Sequence, residues 1–300
     1  MCGMITRGTV IAGLLALELA VVVEAVVAVR GGRPGPTFAS HSRALAAPDP
    51  RLREAGAHQI FAGGAHPALT VDIGYADLTI LTREAPQIDV SLSPDPDPGI
   101  FGNKAPIVVR NDGGTIRIAK TPGRNWSTGD DRMVTVLVPS NTRVSVASAG
   151  NIRATGLRAE TTLRAVGQGD IVVEDYAAPS LHVASEGSVT LDRIAADRLD
   201  ATSKDDAVDG SALRVRDGRI EAEDRITLEF APASDARVIA QTANGTIDVS
   251  GFDVPPSPAG NNTATDGADS ASRVLRLGAG NGSFDIRSHD GSITLARDSR

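Results

Sequence analysis

One cysteine, one tryptophan, two tyrosines and six phenylalanines are all that the 300 residues hold of these types. The lone Cys2 excludes an intrachain disulfide and any cysteine-based zinc site. No small-residue lipobox precedes it, so a plain free thiol is a simpler reading than an acylated one. Aromatics make up 3% against a hydrophobic fraction of 41%, which leaves a core of Ala, Val, Leu and Ile. Such residues suit strands stacked in register better than a large globular interior. Positive charge is also short. The net charge is −7, and within residues 1–30 Arg7 and Arg30 cancel Glu18 and Glu24, so the excess acid falls on the rest. An acidic surface disfavours nucleic acid and anionic lipid as partners.

Catalytic signatures are missing as well. There is no Gly-x-Ser-x-Gly elbow. His41, His58, His66, His182 and His289 show no i, i+4 spacing, so a histidine metal site is not expected. The segment Gly278-Ala-Gly280-Asn-Gly282 leads into a strand, whereas a phosphate cradle requires a helix; it reads as a turn. The sequence assigns no catalytic residue, no cofactor-binding residue and no cofactor.

Only one long apolar run exists, from Thr9 to Val29. It matches the ~20 residues that cross a bilayer, and is read as a signal anchor after a tail of residues 1–8. Glu18 and Glu24 interrupt it, at a cost on the order of a few kcal/mol for an acid near the centre. A cleaved signal peptide is the competing reading, but its apolar region is usually shorter, about 7–15 residues. Arg7 faces Arg30 and Arg33 across the run, so the positive-inside rule is nearly balanced; the orientation adopted puts the large C-terminal domain outside the cytoplasm. Residues 30–57, rich in Pro, Gly, Ala and Arg, form a linker.

From residue 58 to 298 short alternating runs recur, built on Gly-x-apolar-x-apolar. The unit occurs at Gly114/Ile116, Gly169/Ile171, Gly187/Val189, Gly245/Ile247 and Gly291/Ile293. Intervals between first apolar positions, from Ile116 through Val134, Ile152, Ile171, Val189 and Val208 to Ile226, are all 18 or 19 residues. Leu163, Leu181 and Leu199 form a second series spaced by 18. A fixed period of this size containing strand-like runs predicts an all-β, right-handed parallel β-helix-like solenoid, preceded by the transmembrane helix. The glycines are expected to supply positive-φ turns between faces. An antiparallel sandwich is the competing architecture. Pro- and Gly-rich excursions interrupt the pattern at 94–106 and 253–272, and Ile247 to Phe284, 37 residues apart, is read as two coils.

The run Leu69-Thr-Val-Asp-Ile-Gly-Tyr-Ala-Asp-Leu-Thr-Ile-Leu, then Gln87-Ile-Asp-Val-Ser-Leu and the repeated Gly-Asp/Ser/Thr-Ile/Val units, resembles the bacterial DUF4097 family of adhesin-like envelope domains. The resemblance covers roughly residues 58–298. It implies a β-helix-like domain on a membrane-attached envelope protein, and it brings no functional residues with it.

Asp205, Asp206 and Asp209 are the acidic residues weighed as oxygen ligands for calcium; solvated loop acids are the simpler account. Trp126 reads either as an exposed contact or as the cap of a coil. The functional expectation is a non-enzymatic, adhesin-like binding or structural module, held in the lipid bilayer by residues 9–29 and facing an envelope protein or a polysaccharide. The alternatives are a self-assembling β-helical scaffold and a carbohydrate-active β-helix enzyme.

Overall fold

The computed structural model describes residues 58–93, 107–120, 133–252 and 271–298. All described residues belong to one compact unit, Asp49–Arg300. The expected membrane helix at 9–29, the linker at 30–57, the excursion at 94–106 and Trp126 lie outside them. Among the described residues, no helix is long and apolar enough to cross a membrane.

These residues are all-β. Alternating inward Val, Ile and Leu with outward Thr, Ser, Arg and Asp gives strands with one apolar face. Nineteen are present: β1 (His58–Ala62), β2 (Ala68–Asp72), β3 (Asp77–Arg83), β4 (Gln87–Leu92), β5 (Ile107–Asp112), β6 (Thr115–Lys120), β7 (Met133–Pro139), β8 (Arg143–Ser148), β9 (Ile152–Thr155), β10 (Thr161–Ala165), β11 (Ile171–Ser185), β12 (Val189–Ser203), β13 (Val208–Ala222), β14 (Ile226–Phe230), β15 (Ala236–Thr242), β16 (Ile247–Ser250), β17 (Ala271–Leu277), β18 (Gly282–Ser288) and β19 (Ile293–Arg297). All join one hydrogen-bonded sheet, wrapped nearly closed, like a barrel, around a single core.

The three 15-residue strands show how the wrap is made. In β11, β12 and β13 the first and second halves each pair in parallel with the matching half of the next strand. Between the halves, Asp175, Arg193 and Ala212 take positive φ values of 53°, 54° and 50°. This bend shifts the in-out alternation by one residue, so that Tyr176, Ile194 and Leu213 are buried three positions after Val173, Leu191 and Gly210.

Two ladders of mainly parallel pairs result. One runs β5, β6, β2, β8, β10, the second halves of β11, β12 and β13, then β18, β15 and β17. The other runs β1, β4, β7, β3, β9, the first halves of β11, β12 and β13, then β14, β19 and β16. The anticipated register is present in the middle, where Ile152, Ile171, Val189, Val208 and Ile226 pair in turn.

At both ends the order in space departs from the order in sequence. Ile116 and Val134 lie on different ladders, and neither pairs with Ile152. Leu69 stands between Ile116 and Val144, and Leu78 between Val134 and Ile152. At the other end β18 and β19 are inserted between β13/β14 and β15/β16, so that Phe284 pairs with both Gly218 and Val238, and Ile293 with both Ile226 and Ile247. The reading of Ile247 to Phe284 as two successive coils is therefore corrected: the chain skips a level, then returns to fill it. Leu163 pairs with Val183 and not Leu181, whereas Leu181 does pair with Leu199. The excursion read as 253–272 ends earlier, because Ala271 opens β17.

The core is a set of such rows, each fully buried aliphatic side chain contributing roughly 1.5–3 kcal/mol. Its three largest side chains are Tyr176, Phe230 and Phe284. Phe230 and Phe284 meet edge to face at 5.8 Å, and Gly218 leaves the space that the Phe284 ring occupies.

Candidate functional site

The glycines of the repeat do different work from the one expected. Of Gly114, Gly169, Gly187, Gly245 and Gly291, only Gly114 has positive φ, at 97°. At the other four a Cβ would run into the neighbouring level: Gly150 carbonyl at Gly169, Gln168 and Gly169 carbonyls at Gly187, Gly291 carbonyl at Gly245, and the Asp224–Arg225 peptide at Gly291. They allow close approach of backbones.

Beside them runs a row of buried hydroxyls that sequence reading missed. Ser185 Oγ donates to the Gly169 carbonyl at 2.5 Å and accepts from the Gly187 amide at 3.0 Å. Ser203 Oγ donates to the Gly187 carbonyl at 2.8 Å and accepts from the Asp206 amide. Ser148, Thr242 and Ser288 make equivalent bonds to Gly74 and Ala76, to Gly291, and to Asp224 and Gly291. Each hydroxyl thereby satisfies backbone groups at a crowded, dry corner. The sequence carries their signal as Ser-x-Gly at 148–150 and 185–187, polar positions that lie outside the apolar periodicity.

On the solvent side of this corner lies an open cleft of about 680 Å³. Its floor is one register row, Ser203, Ala222, Ser288, Thr242 and Ala271, paired in that order across β12, β13, β18, β15 and β17. The preceding residues Glu221, Arg287 and Gln241, with Ser272 after Ala271 in the antiparallel β17, form one side, and the following residues Lys204, Glu223, His289 and Ala243 the other. Glu221 is held by Arg219.

At the second side Glu223, His289 and Asp290 bring their ligand atoms within 4.8 Å of one another, all three residues being exposed. Spacing could not reveal this set. Glu223 is 66 residues from His289, and they become neighbours only because β18 inserts beside β13. The His289 amide donates to the Ala222 carbonyl at 3.0 Å and the Asp290 amide to the Glu223 carbonyl at 2.7 Å.

The acidic residues weighed for calcium are not gathered in this way. Asp206 Oδ1 accepts from the amide of Ala207 at 2.7 Å, and Asp209 pairs with Arg225 at 3.2 Å. Among the described residues the group positioned to hold a metal is Glu223, His289 and Asp290.

Where the fold moves ionisation, the cause is structural. Hydrogen bonding by Arg193 lowers Asp175. The Ser283 amide, then Arg216, lowers Asp217, and Asn281, through side chain and amide, lowers Asp235. Burial pushes the Tyr176 phenol up to about 12; its hydroxyl donates to the Ala159 carbonyl at 3.1 Å and to that of Ser180.

No family model matches the chain, and no curated protein matches it. Solved structures do align. A candidate cell adhesion protein from Clostridium sporogenes is 12% identical with a TM-score of 0.34, the alignment covering 81% of this chain and all of that one. A candidate adhesin from Bacteroides fragilis is 10% identical with a TM-score of 0.37, covering 80% and 96%. A candidate lipid-binding protein from Parabacteroides distasonis is 13% identical with a TM-score of 0.32, covering 82% and 97%. Likeness at this level carries no functional argument for this chain.

Proposed function

We propose that this chain is a non-enzymatic module of the bacterial cell envelope, tethered by residues 9–29 and built as a β-solenoid of the DUF4097 kind. Its corner cleft is the surface that receives an extended polar polymer, a polysaccharide in the first instance. The observation that carries this reading is the shape of the cleft. It crosses five neighbouring strands, or about 20 Å at the usual interstrand spacing. A small-molecule site by contrast encloses most of its ligand.

The lining chemistry also favours binding over turnover. The hydroxyls of Ser203, Thr242 and Ser288 already donate to backbone carbonyls. Of the two carboxylates there, Glu221 is engaged by Arg219, whereas a glycosidase needs two carboxyl groups facing each other across the scissile bond. The length and apolarity of residues 9–29 support the tether.

The test is binding of fluorescently labelled envelope polysaccharide to the full chain in detergent micelles, compared with Ala243→Trp. Ala243 is an exposed wall residue, so the indole obstructs the cleft without entering the core. Wild-type binding lost in the variant is the expected result. Equal binding by the two proteins, or none by either, defeats the reading.

A further inference from the structure

We propose that Glu223, His289 and Asp290 form a binding site for a divalent cation of the zinc class at the lip of the corner cleft. The three offer one imidazole nitrogen and two carboxylate oxygens, all within 4.8 Å of each other, and rotation of these exposed side chains draws them to the roughly 3.4 Å that a tetrahedral ion with bonds of ~2.0–2.2 Å sets between its ligands. A mixed nitrogen and oxygen set suits zinc. Calcium takes 6–8 oxygen ligands and magnesium an octahedron rich in water.

The backbone that carries these side chains is held on both sides. Asp290 and His289 are hydrogen-bonded to the β13 end through the carbonyls of Glu223 and Ala222, and the Asn244 amide donates to the His289 carbonyl at 3.1 Å. Asn244 Nδ2 also donates to Asp290 Oδ1 at 2.7 Å. That bond leaves Oδ2 for the ion and fixes the carboxylate's orientation, the usual task of a group behind a metal ligand. The set joins two strand ends brought together by the inserted β18, and Glu223 and His289 also line the cleft.

Three protein ligands leave the fourth position of a tetrahedron vacant, as in zinc sites that accept an exchangeable ligand. Here that position opens to solvent beside the cleft, where a water or an anionic group of a bound polymer completes it. Only this last point rests on the polymer reading.

The experiment is calorimetric titration of ZnCl2 into the full chain in detergent micelles after removal of metals with EDTA. Wild type should bind zinc, with 5 mM CaCl2 failing to compete. His289→Ala and Glu223→Gln should each weaken binding about tenfold or more, while Asp205→Asn combined with Asp209→Asn leaves it unchanged. Circular dichroism checks that each variant is folded; all substituted positions are exposed or half-exposed. Absence of zinc binding, wild-type affinity in both His289→Ala and Glu223→Gln, or displacement of zinc by calcium overturns the site. No polymer is present in this titration, so its failure leaves the cleft reading standing, and failure of the polymer assay leaves the cation site standing.

Discussion

A glycine may be kept for the φ it allows or for the Cβ it omits, and the repeat contains both kinds. Gly114 has positive φ and open space around its Cα. Gly114→Ala should cost only the left-handed penalty, roughly 1–2 kcal/mol. Gly169 has ordinary φ, but a Cβ there meets the carbonyl of Gly150, backbone that cannot yield without opening a ladder. Gly169→Ala should therefore cost more, about 3 kcal/mol, in urea unfolding followed by circular dichroism. Equal losses at the two positions would contradict the assignment of roles. The neighbouring serines are subject to a different penalty. Ser203→Ala removes the partner of the Gly187 carbonyl and the Asp206 amide, for about 1–3 kcal/mol per buried group left unsatisfied.

Among the elements, the bend inside β11 and β12 was the least legible in the sequence. The apolar spacing from Ile152 to Ile226 led directly to the paired core rows of the middle strands, because period-2 burial leaves a strong imprint on composition. Asp175 and Arg193 left none, since both are charged residues of ordinary strand context that happen to bend the chain. They are also joined, Arg193 Nε to Asp175 Oδ1 at 2.5 Å, and this ties one bend to the next. The same bond sets a pH dependence. Asp175 is lowered from its ordinary value of 3.8, chiefly by the Arg193 hydrogen bond, so the folded chain favours the charged carboxylate. The resulting stabilisation is complete above that value and drains away as pH falls through the depressed one. Arg193→Gln should thus destabilise the protein at pH 7 and lose that effect toward pH 2 (equal penalties at both pH values would refute the linkage). Because the pair is largely exposed, the difference should shrink in 1 M NaCl. The cleft was illegible for another reason. Its floor and the Glu223, His289 and Asp290 group depend on which strands are neighbours, and the insertion of β18 is not written in any local pattern.

For the whole molecule, the same insertion makes the C-terminal strands indispensable. In a stack that follows sequence order, removing the last level exposes one edge and leaves the rest intact. Here β18 and β19 bridge β13/β14 to β15/β16. Truncation after residue 270 should strip amide protection from β15 and β16 as well, read by hydrogen exchange, while β9 to β12 stay protected. Protection retained in β15 would show that its place does not depend on β18. Antiparallel strands lie at three of the four ladder ends, with β5, β1 and β17 outermost. They break the parallel pattern that end-to-end stacking would extend, which weighs against the scaffold alternative. Filaments from the full chain in micelles would restore it.

The inserted level also bears on mechanical load. Pulled by its C-terminal end, a sequential stack gives way one strand at a time, with a single ladder opening at each step. The last described strand, β19, is gripped between β14 and β16. It must part from two neighbouring strands at once before anything beyond it can unravel. A protein fixed to a surface on one side and gripped beyond β19 would thus resist at that strand, where a plain stack is weakest.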